Sequence, residues 1–139
     1  MAAIPVAKHT AVSPPSAAAR FSSNMPRVGS SSNTNIILVR DTVRALGDIA
    51  RFYRNKFSSP VIAVTGSNGK TSTKELVSWL LGAQYKVLKS LGTQNNQIGL
   101  PMTLLKLHKG YDMAVLEIGT NHFGEVDYLA RIARPNVGV

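Results

Sequence analysis

A glycine-rich turn ending in Lys-Thr is the segment of this sequence with the clearest potential for chemistry. Residues 65–71 read Thr-Gly-Ser-Asn-Gly-Lys-Thr and directly follow the apolar run 61–64. Glycines let successive backbone N–H groups converge on one anion, the lysine brings positive charge to phosphate oxygens, and the threonine hydroxyl can ligate Mg²⁺. The turn therefore predicts a phosphate cradle for ATP and Mg²⁺. The predicted nucleotide-binding residues are Gly66, Ser67, Asn68, Gly69, Lys70, Thr71 and Ser72.

The spacing of the two glycines departs from the common phosphate-loop pattern, G-x-x-x-x-G-K-[ST]. Val64 stands where that pattern has its first glycine, so the turn reads G-x-x-G-K-T. A short motif of glycine and lysine also arises by chance, and the alternative is an exposed surface turn that carries a lysine. The apolar run before the turn and the helical pattern after it favour the phosphate cradle, because a phosphate loop joins a strand to a helix.

A carboxylate lies near the end of another apolar run. Glu117 is the one charged residue in the sequence Met-Ala-Val-Leu-Glu-Ile at 113–118. An acidic residue at a strand end opposite a phosphate loop commonly holds Mg²⁺, directly or through water. Thr71 and Glu117 are therefore the predicted metal ligands. The alternative is a partly exposed glutamate at a strand end that binds no metal.

Two further polar segments supply candidate catalytic residues. Residues 92–99 contain a run of amide side chains, which donate and accept hydrogen bonds without charge and so suit a polar substrate. The alternative for this run is a helix cap, which asparagine also favours. His122 follows the run that contains Glu117 and could contact phosphate, metal or substrate, or be an ordinary loop residue. The predicted catalytic residues are Lys70, Asn95, Asn96 and His122.

Strands and helices alternate along the sequence from residue 41 onward. The predicted strands are 61–64, 86–89, 113–118 and 136–139, and the predicted helices are 41–57, 70–81, 98–107 and 124–133. Such alternation predicts an α/β fold with a parallel sheet and right-handed crossovers. Ligands bind beyond the carboxyl ends of parallel strands. We therefore expect the three polar segments to meet in one site.

Helical periodicity predicts which side of each helix packs on the sheet. The apolar stripe of the first helix is Val43, Leu46, Ala50, Tyr53 and Phe57, and the opposite, solvated face carries Arg44, Arg51 and Arg54. The predicted apolar face of the second helix is Leu76, Val77, Leu80 and Leu81, with Trp79 packed at its edge. Asp41 or Thr42 is expected to cap the first helix.

Composition narrows the class of protein. The 139 residues correspond to at most one domain, and the absence of cysteine excludes disulfides and thiolate metal sites. No apolar run approaches the roughly 18 residues that a membrane-spanning helix needs. The formal net charge of +9 suggests nucleic-acid binding as a hypothesis. Because the basic residues are scattered, without an aromatic platform or a recognisable motif, no nucleic-acid partner is expected.

The first 35 residues differ in composition from the rest of the chain. They are rich in Ala, Ser and Pro, and no acidic residue precedes Asp41. Such a segment buries too little apolar surface to offset the entropy of ordering it, so residues 1–35 are predicted to be a disordered leader. Acid-free N-termini with Arg and Ser are typical of organelle transit peptides. The alternatives are a disordered leader that carries no targeting signal and a gene start that has been wrongly joined.

The three motifs, in this order, resemble the central ATP-binding domain of the Mur ligases, and within that family its MurF branch. The resemblance is carried by Val-Thr-Gly-Ser-Asn-Gly-Lys-Thr-Ser-Thr-Lys-Glu at 64–75, Asn-Asn-Gln-Ile-Gly-Leu-Pro-Met-Thr-Leu-Leu at 95–105 and Leu-Glu-Ile-Gly-Thr-Asn-His-Phe-Gly-Glu at 116–125. It implies a P-loop-type nucleotide-binding fold. Residues 36–139 would form a partial Mur ligase central domain, incomplete at the C-terminus.

The resemblance also implies a reaction, the ATP-dependent formation of an amide in peptidoglycan precursor synthesis. ATP would phosphorylate a carboxylate of UDP-MurNAc-peptide, and the amine of D-alanyl-D-alanine would attack the acyl phosphate. Lys70 and Mg²⁺ would stabilise the transferring phosphoryl group, whereas Asn95 and Asn96 would help to place the acyl substrate. The expected cofactors are ATP and Mg²⁺.

The resemblance further implies that other parts of such a ligase lie outside this sequence. The isolated chain is therefore expected to be inactive in ligation, with any missing domains supplied by a partner. The alternative is a non-catalytic nucleotide-binding remnant or interaction module. The transit-like leader implies a plastid location for the chain, and the alternative location is the cytoplasm.

Overall fold

A computed structural model of the chain describes residues 38–139, and the predicted leader lies outside the described residues. The helices are α1 (Thr42–Arg54), α2 (Lys70–Gly82), α3 (Gly99–Leu104) and α4 (Glu125–Ala133). The strands are β1 (Val61–Val64), β2 (Val87–Lys89), β3 (Met113–Glu117) and β4 (Val137–Gly138). Helices and strands thus follow the predicted order. The helix α3 is shorter than predicted, because residues 106 and 107 form tighter bonds to carbonyls three residues back.

The strands form one parallel sheet in the order β2-β3-β1-β4, which confirms the predicted α/β class. In the β1–β3 pair, Val64 lies opposite Glu117. The carboxyl ends of these two strands are therefore neighbours, although the residues are far apart in sequence. This register brings the glycine-rich turn after β1 next to the acidic end of β3.

The connections run in both directions across the sheet. The connection from β1 through α2 runs toward the β2 edge of the sheet. The connections through α3 and α4 run in the opposite direction, toward the β4 edge. Right-handed crossovers then put α2 on the face opposite α3 and α4. Consistent with this, α1, α3 and α4 pack against one another, whereas α2 packs on β1, β2 and β3. The main core lies between the sheet and the three-helix layer, and includes Leu100, Leu104, Leu116, Leu129 and Ile132.

The start of α1 matches its predicted cap. Asp41 Oδ1 accepts hydrogen bonds from the backbone N–H groups of Val43 and Arg44 at 2.9 and 3.0 Å. This satisfies two of the N–H groups that have no partner within a helix. The predicted stripe also holds, since Ala50 is fully buried and Tyr53 and Phe57 pack against the core.

The prediction that Arg54 is a solvated charge is wrong. Its side chain is buried, with Nε donating to the carbonyl of Ala133 at 3.1 Å and Nη1 donating to the carbonyl of Phe57 at 2.6 Å. Carbonyls at helix ends lack intrahelical partners, and a basic side chain can satisfy them. Burial and the neighbouring Arg134 lower the pKa of Arg54 from its ordinary value. Arg54 thus joins the ends of α1 and α4.

The predicted apolar face of α2 is only half right, because Val77 and Leu81 are half-buried but its other members are exposed. Leu76 and Leu80 are each 57% exposed and Trp79 is 74% exposed, so Trp79 does not pack as expected. The buried residues of α2 are Lys74 and Ser78. The sheet-facing side of α2 therefore carries polar groups where periodicity predicted apolar ones, because Lys74 finds its partners at the strand ends beneath the helix.

Candidate functional site

The turn between β1 and α2 has the backbone geometry that only glycine adopts readily. Gly66 has φ of 134° and Gly69 has φ of 77°, both in the left-handed region. A Cβ atom built on Gly69 meets no atom within 4 Å. The requirement for glycine there is therefore the backbone angle and not a lack of space. Gly69 is also the N-cap residue of α2, so the turn opens directly onto the positive end of that helix.

Lys70 folds back over its own turn. Its Nζ donates to the carbonyl of Gly66 at 2.7 Å and lies 3.4 Å from the carbonyl of Ser67. The ammonium group is thus held at the mouth of the turn by two weak, neutral acceptors. A phosphate oxygen carries negative charge and is therefore a stronger acceptor for the ammonium group than a neutral carbonyl.

Glu117 receives side chains from both other predicted segments. Thr71 Oγ1 donates to its Oε2 at 2.9 Å, and Asn95 Nδ2 donates to its Oε1 at 2.8 Å. Glu117 is 1% exposed, so it is not the partly exposed strand-end residue of the alternative interpretation. Three predicted residues from three separate segments therefore meet at the carboxyl ends of β1 and β3.

A close backbone approach keeps Asn95 in this position. The backbone N–H of Gly119 donates to the carbonyl of Asn95 at 2.8 Å. A Cβ atom on Gly119 would lie 2.7 Å from the side-chain amide carbon of Asn95. Any larger residue at position 119 would therefore push the amide away from Glu117.

Asn96 has a different environment from Asn95. Its Oδ1 accepts hydrogen bonds from the backbone N–H groups of Ile98 and Gly99 at 3.1 and 2.8 Å. This is the cap-and-turn arrangement that the sequence left open as an alternative, and it lies on the turn that leads into α3, whose N-cap residue is Ile98. The substrate role predicted for Asn96 has to come from the remaining NH₂ group of its amide.

His122 lies in a separate cleft from the Glu117 cluster. Its backbone N–H donates to Glu125 Oε2 at 3.0 Å, and the backbone N–H of Asn121 donates to the same oxygen at 2.6 Å. These two bonds lower the pKa of Glu125 from its ordinary value. The cleft has a volume of about 310 Å³ and is lined by Asp41, Arg44, Gln97, His122, Phe123, Gly124, Glu125 and Tyr128. None of the turn residues 66–72 lines this cleft.

Lys74 is not among the site residues predicted from the sequence. This side chain is completely buried, and its Nζ donates to the carbonyls of Ser90 and Gly92 at 2.9 and 3.1 Å. It also lies 3.0 Å from Glu75 Oε1 and 3.9 Å from Glu117 Oε2. No local pattern in the sequence marks this lysine, because the two carbonyls that it binds lie 16 and 18 residues away along the chain.

The donor set at Glu117 fits one kind of metal site. Within residues 38–139 no group of three or more His, Cys, Asp or Glu side chains could hold a metal ion. Mg²⁺ needs fewer protein ligands, because it keeps several waters and is commonly bound by one or two carboxylates together with substrate phosphates. A carboxylate and a hydroxyl beside a phosphate loop therefore fit Mg²⁺ that arrives with a nucleotide.

Comparison with known proteins identifies the family to which the chain belongs. The family model described as the Mur ligase middle domain matches residues 64–139, from the last residue of β1 to the last residue of the chain. This chain belongs to the Mur ligase family. The match spans the glycine-rich turn, Lys74, the amide segment and Glu117, so the whole cluster lies within the part that defines the family.

Individual relatives of this Mur ligase chain point to one branch. The UDP-N-acetylmuramoyl-tripeptide–D-alanyl-D-alanine ligase of Bacillus subtilis is 47% identical over 107 residues, which are 77% of this chain and 23% of that protein. The ligase of the same name from Escherichia coli is 42% identical over 103 residues, which are 74% of this chain and 23% of that protein. The Mur ligase chain thus spans about a quarter of the length of these relatives.

Solved structures agree with the sequence comparisons. A crystal structure of MurF from Acinetobacter baumannii aligns with a TM-score of 0.72 and 40% identity, covering 78% of this chain and 24% of that one. MurF from Thermotoga maritima, solved in complex with ADP, aligns with a TM-score of 0.67 and 38% identity, covering 77% of this chain and 25% of that one.

Within residues 38–139 of the Mur ligase chain, no helix is long and apolar enough to cross a membrane.

Proposed function

We propose that this chain provides the nucleotide-binding part of an ATP-dependent amide ligase that joins D-alanyl-D-alanine to UDP-MurNAc-peptide. The observation that carries the proposal is the convergence of Thr71 and Asn95 on the buried Glu117, beside a glycine-rich turn. The relatives named for this ligase activity, and the ADP complex of the Thermotoga maritima protein, support the choice of reaction and nucleotide.

The turn binds the phosphates of ATP. Backbone N–H groups of residues 67–70 face the phosphate oxygens, and the N-terminus of α2 adds its partial positive charge. Lys70 leaves the carbonyls of Gly66 and Ser67 and contacts the outer phosphates, where it offsets the charge on the transferring group. Little rearrangement is needed, because the ammonium group already lies over the turn.

Thr71 and Glu117 would hold Mg²⁺ that enters with ATP, and the bound ion would supply positive charge against the phosphates during transfer. The hydroxyl of Thr71 donates to Glu117 through its hydrogen, which leaves the oxygen lone pairs free for a cation. Glu117 contributes its carboxylate directly or through a water molecule. Both residues are held before the nucleotide arrives, which reduces the reorganisation that binding requires.

The acyl substrate is recognised by amide and imidazole groups near this site. Asn95 lies against Glu117, so its amide can orient a polar group of the peptide whose carboxylate is phosphorylated. Asn96 contributes the NH₂ group that its cap leaves available, and His122 contacts substrate from the neighbouring cleft. The amine of D-alanyl-D-alanine then displaces phosphate from the acyl phosphate, forming the amide bond.

We also infer that residues 1–35 direct the chain to a plastid, on the basis of their acid-free, Ala-, Ser- and Pro-rich composition. A fluorescent protein fused after residue 40 tests this directly in plant cells. The expected result is fluorescence confined to plastids. Diffuse cytosolic fluorescence would support the alternative location and remove the transit function.

Nucleotide binding to the 139-residue chain tests the central proposal. Isothermal titration with Mg²⁺-ADP is expected to show binding that Lys70→Ala weakens about 10-fold or more, because a charge-assisted contact is lost. Lys106→Ala is the matched control, since Lys106 is exposed and lies beyond the end of α3. Equal affinities of the Lys70 variant and the unchanged chain would remove the phosphate role given to Lys70.

A further inference from the structure

Lys74 is the one fully buried cation on α2, and its burial demands an explanation. A buried ammonium group is costly unless it is paired and hydrogen-bonded. All three of its N–H groups have an acceptor within reach, namely the carbonyls of Ser90 and Gly92 and the carboxylate of Glu75. The nearby turn residue Lys70, by contrast, is held by carbonyls of its own loop.

The partners of Lys74 outside its own helix come from two segments around the predicted metal ligands. Ser90 and Gly92 belong to the segment that follows β2, and Glu117 ends β3. Ser90 is itself connected to Glu117, because its Oγ accepts a hydrogen bond from the Glu117 backbone N–H at 3.2 Å. Lys74 therefore affects Glu117 in two ways. Its charge lies near the Glu117 carboxylate, and it holds Ser90, whose hydroxyl binds the Glu117 backbone N–H.

The charge balance at Glu117 gives Lys74 a further role. Within residues 38–139, Lys74 is the only cation within 4.0 Å of the Glu117 carboxylate. Glu75, the other carboxylate near Lys74, is half-exposed and also pairs with Lys89. Glu75 can thus be stabilised without Lys74, whereas the buried Glu117 has no second cation among the described residues.

We propose that Lys74 is a positioning residue that holds Glu117 in place for the cation that accompanies the nucleotide. This inference rests on the proposed function, and concerns a residue that touches neither phosphate nor substrate. Lys74 keeps the carboxylate directed at Thr71, and it holds the Ser90–Gly92 segment against β3. Partners that orient a metal ligand in this way commonly change metal affinity or activity about 10- to 100-fold when they are removed.

A double-mutant cycle on stability tests the pairing without any ligand. Lys74→Met, Glu117→Gln and the double variant are unfolded in urea as 139-residue chains. Removing one partner leaves a buried, unpaired charge, whereas removing both does not. We expect the double variant to have a higher midpoint than Lys74→Met alone. If Lys74→Met fails to fold, folding of the double variant gives the same support, and failure of both overturns the pairing.

The second readout is the gain in ADP affinity caused by Mg²⁺, measured by isothermal titration with and without the ion. Lys74→Met is expected to lose about 10-fold or more of this gain while its affinity for Mg²⁺-free ADP changes little. Lys89→Met is the matched control, because Lys89 shares Glu75 with Lys74 but is 41% exposed and has no contact with Glu117.

The outcomes separate this inference from the proposed function. A gain from Mg²⁺ that is unchanged in Lys74→Met, or equally reduced in Lys89→Met, would overturn the positioning role. Absence of ADP binding by the unchanged chain would instead overturn the proposed function, and the urea cycle alone would then decide whether Lys74 and Glu117 are energetically coupled. Additive destabilisation in that cycle would overturn the pairing.

Discussion

Thr71 and Glu117, which are 46 residues apart in sequence, share a hydrogen bond of 2.9 Å from the threonine hydroxyl to the carboxylate. Thr71 lies in the first turn of α2, and Glu117 is the last residue of β3. The bond therefore connects the glycine-rich turn to the acidic strand end. It defines which oxygen of Glu117 faces the turn, since the other oxygen is bound by Asn95.

Replacement of Thr71 by valine tests this bond. The variant keeps the side-chain shape but removes the hydroxyl, so Glu117 loses one donor. We expect a loss of about 1 kcal/mol in the free energy of unfolding, measured in urea. Thr120→Val is the control, because Thr120 is exposed and its hydroxyl donates only to the carbonyl of His122. A larger effect at Thr120 than at Thr71 would contradict the structural importance of the bond.

Gly69→Ala and Gly82→Ala are expected to change stability in opposite directions. A Cβ atom meets nothing within 4 Å at either position, but only Gly69 has a positive φ, of 77°. Alanine at 69 should therefore cost about 1–2 kcal/mol through its left-handed backbone. Alanine at 82, the last residue of α2, should gain about 0.4–1 kcal/mol through a less flexible unfolded chain. Thermal unfolding of both variants measures the difference, and equal shifts would show that the backbone angle does not matter.

Arg54→Met is expected to destabilise the fold, although arginine is usually a surface residue. The change leaves the Ala133 and Phe57 carbonyls without their donors in a buried place. The expected loss is about 1–3 kcal/mol in the free energy of unfolding. Arg51→Met, one turn earlier on α1 and exposed, should change it by less than about 0.5 kcal/mol. Similar effects of the two changes would contradict the structural role of Arg54 and would indicate a solvated side chain instead.

Glu125 should give a stability contribution that depends on pH. Hydrogen bonds from the backbone N–H groups of Asn121 and His122 lower its pKa in the folded chain. A carboxylate with a lowered folded pKa stabilises the fold above its unfolded pKa of about 4.3 and loses that contribution as the pH falls through the folded value. Glu125→Gln should therefore lower the melting temperature at pH 7, and the difference from the unchanged chain should shrink below about pH 4. A difference that stays constant down to pH 3 would contradict the role of these bonds.

The sequence predicted the elements that connect the site, because these depend on local patterns. Local composition alone is enough to predict three of these parts: the apolar run at 61–64, the glycines of the turn and the apolar run that contains Glu117. The rule that ligands bind beyond parallel strand ends then brings Thr71, Asn95 and Glu117 together, as the structure shows. The order of strands in the sheet has no such local signal.

Lys74 and Arg54 could not be placed from the sequence for a physical reason. Hydrophobic periodicity assigns apolar residues to the interior. It cannot predict the burial of a charged side chain whose hydrogen-bond acceptors lie far away in the sequence. The carbonyl of Ala133 is 79 residues from Arg54, and those of Ser90 and Gly92 are 16 and 18 residues from Lys74. The same limit explains Leu76 and Trp79, which are exposed because a polar side of α2 faces the strand ends.

The pairing of Val64 with Glu117 has a consequence for how the chain folds. These strands are separated in sequence by α2, β2 and α3, so pairing them closes a long loop. The entropic cost of closing this loop arises early in folding, before many contacts compensate for it. A partly folded chain can form the helix α2 with its glycine turn, yet lack the acidic strand end beside it. The cluster of Thr71, Asn95 and Glu117 therefore assembles only when β1 and β3 lie side by side, so it is a property of the closed sheet and not of the glycine-rich turn alone.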